Sequence, residues 1–243
     1  MPDYFVSDVH LRLDRPERSS RFSAFVLGLE ADDSLTVVGD LCDFWFASRQ
    51  LGLDPMRCPG LRSLARFRDR GGRLTILTGN HDAWLGPFYQ EALGAEWVEG
   101  ALERSSFGVR LSAVHGHRLG ARSPWKGMME GRAFLQGFRA LPGPIARGLA
   151  GRLERSNSRS LARTHRRHLV TYRSHARSLI DAGAADLVLL GHVHDVFDEP
   201  IGAGRMIVLG DWIGGSSHAR IDDSGVQFVA DRPLASTVPL SVL

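Results

Sequence analysis

The most informative part of this chain is Tyr4-Phe5-Val6-Ser7-Asp8-Val9-His10, because a short apolar run ends there at an acidic residue and a histidine. Asp8 and His10 stand two positions apart, so in a strand their side chains point to the same face. A carboxylate and an imidazole that converge at the end of a strand form half of a metal site. We therefore expect the first strand to end at a metal centre that the rest of the chain completes.

Four further apolar runs end in residues of the same kind. The motifs that follow them are Gly39-Asp40-Leu41-Cys42-Asp43, Gly79-Asn80-His81-Asp82, His115-Gly116-His117 and Gly191-His192-Val193-His194. Each motif alone has low or moderate specificity, but all five in this order leave chance placement of the ten histidines a weight of only roughly a few per cent as the explanation. Mixed carboxylate, imidazole and amide donors suit Mn²⁺, Fe²⁺ or Zn²⁺ and do not suit Ca²⁺. The number of donors exceeds what one tetrahedral ion needs, which predicts two ions bridged by one carboxylate.

Length and composition favour one α/β domain over residues 1–243. The chain has 243 residues, of which 43% are hydrophobic, enough to bury a sizeable core. Two cysteines are too few for a disulfide framework and indicate a reducing compartment. No apolar run reaches the ~20 residues of a spanning helix, and the N-terminus lacks a signal-type pattern. We expect a soluble cytoplasmic protein that associates peripherally with the inner membrane.

The order of predicted elements indicates two packed sheets with helices outside. Helices are expected from Ser19-Ser20, around 61–67, around 88–93 and over roughly 160–182. A strand over 97–103 is expected to pair antiparallel with 109–114, and strands at 187–190, 206–209, 218–221 and 226–230 are expected to form a meander. The first part therefore predicts βαβ units and the last part a β-rich end.

Residues 118–180 interrupt this order with a basic helical insertion. Between Arg118 and Arg177 there are fourteen Lys and Arg against two acidic residues, a local balance of +12. A helical hairpin that packs on the core with a solvated Arg face is the ordinary explanation of such a segment. Here the segment lies between two ligand motifs, so it must emerge beside the predicted metal site.

The five motifs in this order resemble those of the calcineurin-like metallophosphoesterases, and the resemblance covers nearly the whole chain. It implies a four-layer αββα sandwich with a helical lid insertion at about 118–180, and a hydrolase that uses two divalent ions, Mn²⁺ first and Fe²⁺ or Zn²⁺ as alternatives. It implies that Asp8, His10 and His194 hold one ion, that Asn80, His115 and His192 hold the other, and that Asp40 bridges them.

The same resemblance gives a role to His81, and the common arrangement around ligand imidazoles suggests one for Asp43. His81 corresponds to an imidazole of the family that stabilises or protonates the leaving group. The alternative is that His81 has only a structural role. Asp43 either orients a histidine from outside the ligand set or caps a turn.

Within that superfamily the chain is most similar to the UDP-2,3-diacylglucosamine hydrolases. The short N-terminus Ser7–Leu11, the stretch Gly39-Asp40-Leu41-Cys42-Asp43-Phe44-Trp45 and the insertion carry this similarity. It implies a lipid-linked nucleotide sugar as substrate, cleaved to lipid X and UMP, with no obligate protein partner. The insertion would bind the substrate through the residues Met128, Phe134, Leu135, Phe138, Arg152, Arg155 and Asn157. Two positions depart from that family, since it usually has Arg at the place of His81 and Asp at the place of His117.

Two other functions remain open from the sequence. A phosphodiesterase acting on another nucleotide or on nucleic acid would also use a basic segment, although stacking aromatics are not interleaved with its arginines. A non-catalytic membrane-binding module that only retains metals is the second, and the complete ligand set with His81 argues against it.

Overall fold

The structure, a computed structural model, describes residues 1–12, 19–43, 54–120, 134, 137, 140–142, 145 and 161–234, without the side chains of 161–167. The strands are β1 (Asp3–Val6), β2 (Ser34–Val37), β3 (Arg73–Leu77), β4 (Glu96–Val98), β5 (Ala101–Ser106), β6 (Val109–Val114), β7 (Leu187–Leu190), β8 (Val196–Ile201), β9 (Gly204–Leu209), β10 (Ser217–Asp222) and β11 (Gly225–Ala230). The helices are α1 (Ser20–Leu27), α2 (Pro59–Asp69), α3 (Gly86–Leu93) and α4 (Leu161–Asp181), and a 3₁₀ turn spans Pro55–Arg57.

These strands form two mixed sheets. The first has the order β11-β10-β1-β2-β3-β4, with β1 to β4 parallel and β10 antiparallel to both of its neighbours. The second has the order β5-β6-β7-β9-β8, with β6, β7 and β9 parallel and the two edge strands antiparallel. The central parallel strands therefore end together at one edge of each sheet.

Three apolar clusters define four layers. Phe22, Leu61 and Tyr89 of α1, α2 and α3 pack on the outer face of the first sheet. Side chains such as Phe5 and Leu189 fill the space between the two sheets, and Tyr172 of α4 packs on the outer face of the second. The predicted αββα sandwich is confirmed by this arrangement.

The helices follow from local sequence. Pro59 opens α2, where its missing N–H costs nothing, and Leu61, Leu64 and Phe67 recur at helical spacing toward the core. Gly71, with φ of +108°, takes the left-handed backbone that follows the end of this helix. The predicted helices over 61–67, 88–93 and 160–182 thus correspond to α2, α3 and α4.

Two predictions about the strands were wrong. The stretch 97–103 is two strands in different sheets, since β4 pairs with β3 whereas β5 pairs with β6, and Gly100 at φ of +97° turns the chain between them. The strands after residue 187 do not form a meander, because β8 was missed and β10 crosses to the first sheet.

The insertion lies mostly outside the described residues. Met128, Leu135, Phe138, Arg152, Arg155 and Asn157 all fall there, and Phe134 is described only as helical and half-buried. The last helix of the insertion, α4, lies within the described residues. Within the described part of the chain, no helix has the length and apolar character needed to cross a membrane.

Candidate metal centre

The predicted ligands follow five strands whose carboxyl ends meet. Asp8 and His10 follow β1, Asp40 follows β2 and Asn80 follows β3 in the first sheet. His115 follows β6, and His192 and His194 follow β7 in the second sheet. Because the sheets pack face to face, the six acidic and histidine members of this set form adjoining groups whose donor atoms lie within 4.8 Å of one another.

The backbone of most of these ligands is left-handed. Asp8, His10, Asp40, His192 and His194 have φ between 51° and 70°. Outside glycine this conformation is uncommon and costs about 1–3 kcal/mol for each residue, and it concentrates at functional sites. Phe107 in the β5–β6 turn is the sole other non-glycine residue of the described chain with positive φ.

The first group contains Asp8, His10 and His194. The Nε2 atoms of the two imidazoles lie 3.3 Å apart. Asp8 Oδ1 lies 3.7 Å from Nε2 of His10 and 3.4 Å from Nε2 of His194. Three donor atoms thus face one point, as expected of ligands to a single ion.

The second group contains Asp40, His115 and His192, with Asn80 beside them. His115 Nε2 lies 3.3 Å from Asp40 Oδ2 and 3.1 Å from Asn80 Oδ1. The same Asp40 oxygen lies 3.9 Å from His10 Nε2 in the first group. Asp40 therefore stands between the two groups, in the position of the bridging ligand that the family resemblance implies.

The hydrogen bonding of two buried carboxylates shows whether this centre suits cations. Asp8 Oδ2 lies 2.6 Å from Ser7 Oγ and accepts the N–H of His192 at 2.8 Å, and Asp40 Oδ1 accepts the N–H of His81 at 2.8 Å. The other oxygens, Asp8 Oδ1 and Asp40 Oδ2, are buried without a hydrogen bond among the described residues. Burying an unpaired charge is costly unless a cation balances it. The residues therefore fit a divalent metal site.

The electrostatics of the metal-free centre agree with this conclusion. Burial acts to raise the pKa of Asp8, but His115 and His10 lower that pKa to about 2. Burial acts to lower the pKa of His115, but Asp40 and Asp8 raise it to about 9. Burial and the nearby His115 hold the pKa of His192 well below its usual range. The raised pKa of His115 thus favours a proton on this imidazole beside the two carboxylates.

Three of the predicted ligand imidazoles have an acceptor oxygen at Nδ1, the ring nitrogen that faces away from the metal centre. Nδ1 of His115 donates to the carbonyl of Val38 at 2.9 Å. Nδ1 of His194 lies 3.3 Å from Asp211 Oδ2, and Nδ1 of His10 lies 3.4 Å from Asp43 Oδ1. Such acceptors fix the tautomer that leaves Nε2 facing the metal.

Asp211 was not predicted as a site residue, although a signal existed. It follows β9, which is parallel to β7 and ends at the same edge. The apolar run Met206–Leu209 is followed by Gly210-Asp211, the same pattern of an apolar run and Gly-Asp that indicated Asp40. Its carboxylate also accepts the backbone N–H groups of Ile213 and Gly214 and pairs with Arg232.

His81 and Asp43 adjoin the first group. His81 Nδ1 lies 2.9 Å from Asp43 Oδ1, and Arg12 Nη1 donates to Asp43 Oδ2 at 3.1 Å. The imidazoles of His10 and His81 are edge to face with ring centres 4.9 Å apart. This geometry favours the role of orienting histidines for Asp43 over that of capping a turn.

No protein-family model matches this chain. Among solved structures, an archaeal phosphodiesterase is 13% identical, with 95% of this chain and 99% of that chain covered and a TM-score of 0.49. A phosphoesterase from E. coli is 18% identical, with 96% and 100% covered and a TM-score of 0.45.

Curated relatives are similar over almost their full length. The UDP-2,3-diacylglucosamine hydrolase of Nitrosococcus oceani is 27% identical over 247 residues, 96% of this chain and 96% of the relative. The protein of the same name from Pseudomonas savastanoi is 28% identical over 233 residues, 90% of this chain and 92% of the relative. The predicted resemblance to this family is confirmed, and with it the predicted class of hydrolases acting on phosphoric esters or anhydrides.

Proposed function

We propose that the protein uses two divalent ions to hydrolyse the diphosphate of UDP-2,3-diacylglucosamine, giving UMP and 2,3-diacylglucosamine 1-phosphate. The observation that carries the proposal is the pair of buried oxygens, Asp8 Oδ1 and Asp40 Oδ2, that face imidazole nitrogens from both sheets. The similarity to enzymes named for this substrate supports the choice of lipid.

In this proposal each ligand has one task. Asp8, His10 and His194 hold one ion, Asn80, His115 and His192 hold the other, and Asp40 holds both. Two such ions, when bound, lower the pKa of a shared water and stabilise the attacking and leaving oxygens of an in-line displacement. Mn²⁺ is the proposed ion, with Fe²⁺ or Zn²⁺ as alternatives, because all three accept mixed oxygen and nitrogen donors.

His81 is proposed to stabilise or protonate the oxygen of the leaving phosphate. Asp43 accepts from Nδ1 of His81, which leaves Nε2 as the atom that faces the substrate. Arg12 donates to the second oxygen of Asp43. Burial acts to raise the pKa of Asp43, but His10 and His81 hold it well below its usual range, so the carboxylate stays ionised and the imidazole stays oriented. Burial acts to lower the pKa of His81, but Asp40 and Asp43 raise it, which favours the proton-bearing form.

The insertion at 118–180 is proposed to be the lid of a single domain over residues 1–243. Met128, Phe134, Leu135 and Phe138 would line a groove for acyl chains, and Arg152, Arg155 and Asn157 would bind the head group. Arginine binds phosphate through a planar fork of donors, and methionine adapts to flexible chains. The basic flank would also bind anionic lipid headgroups. The enzyme would then be cytoplasmic and peripherally associated with the inner membrane.

Asp40→Ala tests the metal centre. The variant should lose activity on UDP-2,3-diacylglucosamine in the presence of Mn²⁺, and elemental analysis should find at least one ion fewer per chain. Asp231→Ala, at an exposed aspartate, is the control and should keep both. Full turnover and two ions in the Asp40 variant would contradict the bridging role.

A phosphodiesterase for another substrate is the second candidate, favoured by His81 and His117 at positions where the lipid hydrolases usually differ. Phe138→Asp separates the two functions. If the insertion binds acyl chains, this variant should cleave the lipid far less well and bis-p-nitrophenyl phosphate almost normally, because each buried methylene contributes about 0.8 kcal/mol. Equal losses on both substrates in a folded variant would mean that the insertion only supports the fold, and the lipid would lose its main physical argument.

A further inference from the structure

His192 sits at the centre of an unusually tight turn. The N–H of Val193 donates to the carbonyl of Gly191 at 2.9 Å, so the hydrogen bond spans only three residues, and His192 has φ of +70°. A three-residue turn of this hand is rare and strained. The surrounding structure must therefore hold it in place.

Tyr172 of α4 contacts that turn directly. Its side chain is fully buried, and its hydroxyl donates to the same Gly191 carbonyl at 3.1 Å. The hydroxyl also lies against Gly116, where an added Cβ would overlap it. Gly116 directly follows His115, so one phenol contacts both ligand turns of the second sheet.

His168, one helical turn before Tyr172, reaches His192 itself. The two imidazoles are edge to face, with ring centres 5.2 Å apart and an interplanar angle of 81°. His168 and Tyr172 are also in ring contact, at 5.9 Å. Two neighbouring positions on one face of α4 thus contact the His192 turn, one through the backbone and one through the side chain.

We propose that Tyr172 is a positioning residue, which holds the strained His192 turn and so sets the affinity of the metal position formed by Asn80, His115 and His192. This inference rests on the metal centre proposed above. His194 is held separately by Asp211, and its position therefore depends less on Tyr172. Since α4 is the last helix of the insertion, these contacts connect the insertion to the metal ligands.

Tyr172→Phe tests the inference, because it keeps the ring and removes only the hydroxyl. Ser63→Ala is the matched control, since the buried Ser63 also donates one hydroxyl to a glycine carbonyl, that of Gly60, at 2.8 Å in α2. Metal-free wild type and both variants are titrated with Mn²⁺ by calorimetry, and their unfolding temperatures are measured in chelator. Loss of a hydrogen bond outside the ligand set commonly weakens metal binding 10–100-fold, and the bond removed here holds the backbone next to the ligand His192.

Support consists of one Mn²⁺ bound about 10–100-fold more weakly in Tyr172→Phe, with the other ion and the Ser63→Ala titration unchanged. Unchanged affinities for both ions, or a loss shared equally by both ions, would overturn the positioning role even if unfolding in chelator shifts. Wild type that binds fewer than two Mn²⁺ would instead overturn the two-ion centre, and the inference with it.

Discussion

Asp43 divides its two carboxylate oxygens between His81 and Arg12. The pKa of Asp43 is held well below its usual range, because His10 and His81 outweigh the burial that acts to raise it. An ionised Asp43 therefore fixes the direction of the His81 ring next to the metal ligands. In the proposed mechanism His81 delivers a proton to the leaving group, and Asp43 orients the imidazole that carries this proton.

His81→Ala should lower kcat by about 10²–10⁴-fold, the usual contribution of general acid–base catalysis. Both ions should stay bound, because His81 is not among the seven proposed ligands. His81→Arg should retain more activity on the lipid than His81→Ala does, since it restores a cation. His218→Ala, at a histidine on β10, is the control for removing an imidazole, and steady-state kinetics with metal analysis provide the measurements. Unchanged turnover of His81→Ala at every pH would make His81 a structural residue.

At the scale of strands and turns, the sequence predicted where five runs end but not how the chain passes between the sheets. The C-terminal ends of parallel strands share an edge, so Asp8, Asp40 and His115 were recognisable from spacing alone. The division of the stretch 97–103 at Gly100 was not recognisable from the sequence. No break in the sequence pattern marks it, and packing decides which sheet each of the two strands joins. The left-handed backbone at the ligands also has no sequence signal, since it is imposed by surrounding contacts.

The glycines of the ligand motifs make room for neighbouring ligands. A Cβ at Gly79 would overlap the carboxylate and backbone N of Asp40, and one at Gly191 would overlap the Ser7 hydroxyl. The sequence alone suggests that such glycines let the backbone approach an ion. The structure instead shows them against the residues that neighbouring strands supply.

Gly79→Ala should therefore disturb Asp40 without altering any ligand. Overpacking costs about 1–3 kcal/mol of unfolding free energy, and here the displaced group is the proposed bridge. Urea unfolding should show that loss, and metal analysis should show fewer than two ions. Gly28→Ala is the matched control, because an added Cβ there meets its nearest atom at 3.4 Å, an ordinary contact. Two retained ions and unchanged stability in Gly79→Ala would contradict this account.

For the whole molecule, metal binding and protonation compete for the same buried centre. His115 has a pKa of about 9 in the metal-free fold, whereas an unfolded histidine titrates near ~6.5. Its protonation stabilises the metal-free protein fully below about pH 6.5, and this contribution is lost as pH rises through about 9. The pKa of His10 is also raised well above its usual range, by Asp43 and Asp8 against burial, and acts in the same direction.

Stabilisation by Mn²⁺ should consequently grow with pH. An ion must displace the His115 proton, so apparent affinity should fall up to tenfold for each pH unit below about 9. An ion at 100 times its Kd stabilises by about 2.7 kcal/mol, which corresponds to roughly 5–10 °C in a chain of this size. Unfolding temperatures in Mn²⁺ and in chelator, measured at pH 6.5, 7.5 and 8.5, should therefore diverge as pH rises. Asp40→Asn should reduce the divergence, because it removes both the charge that raises the His115 pKa and the proposed bridge. If the difference in unfolding temperature between Mn²⁺ and chelator is the same at all three pH values, the buried histidines are neutral before the metal binds.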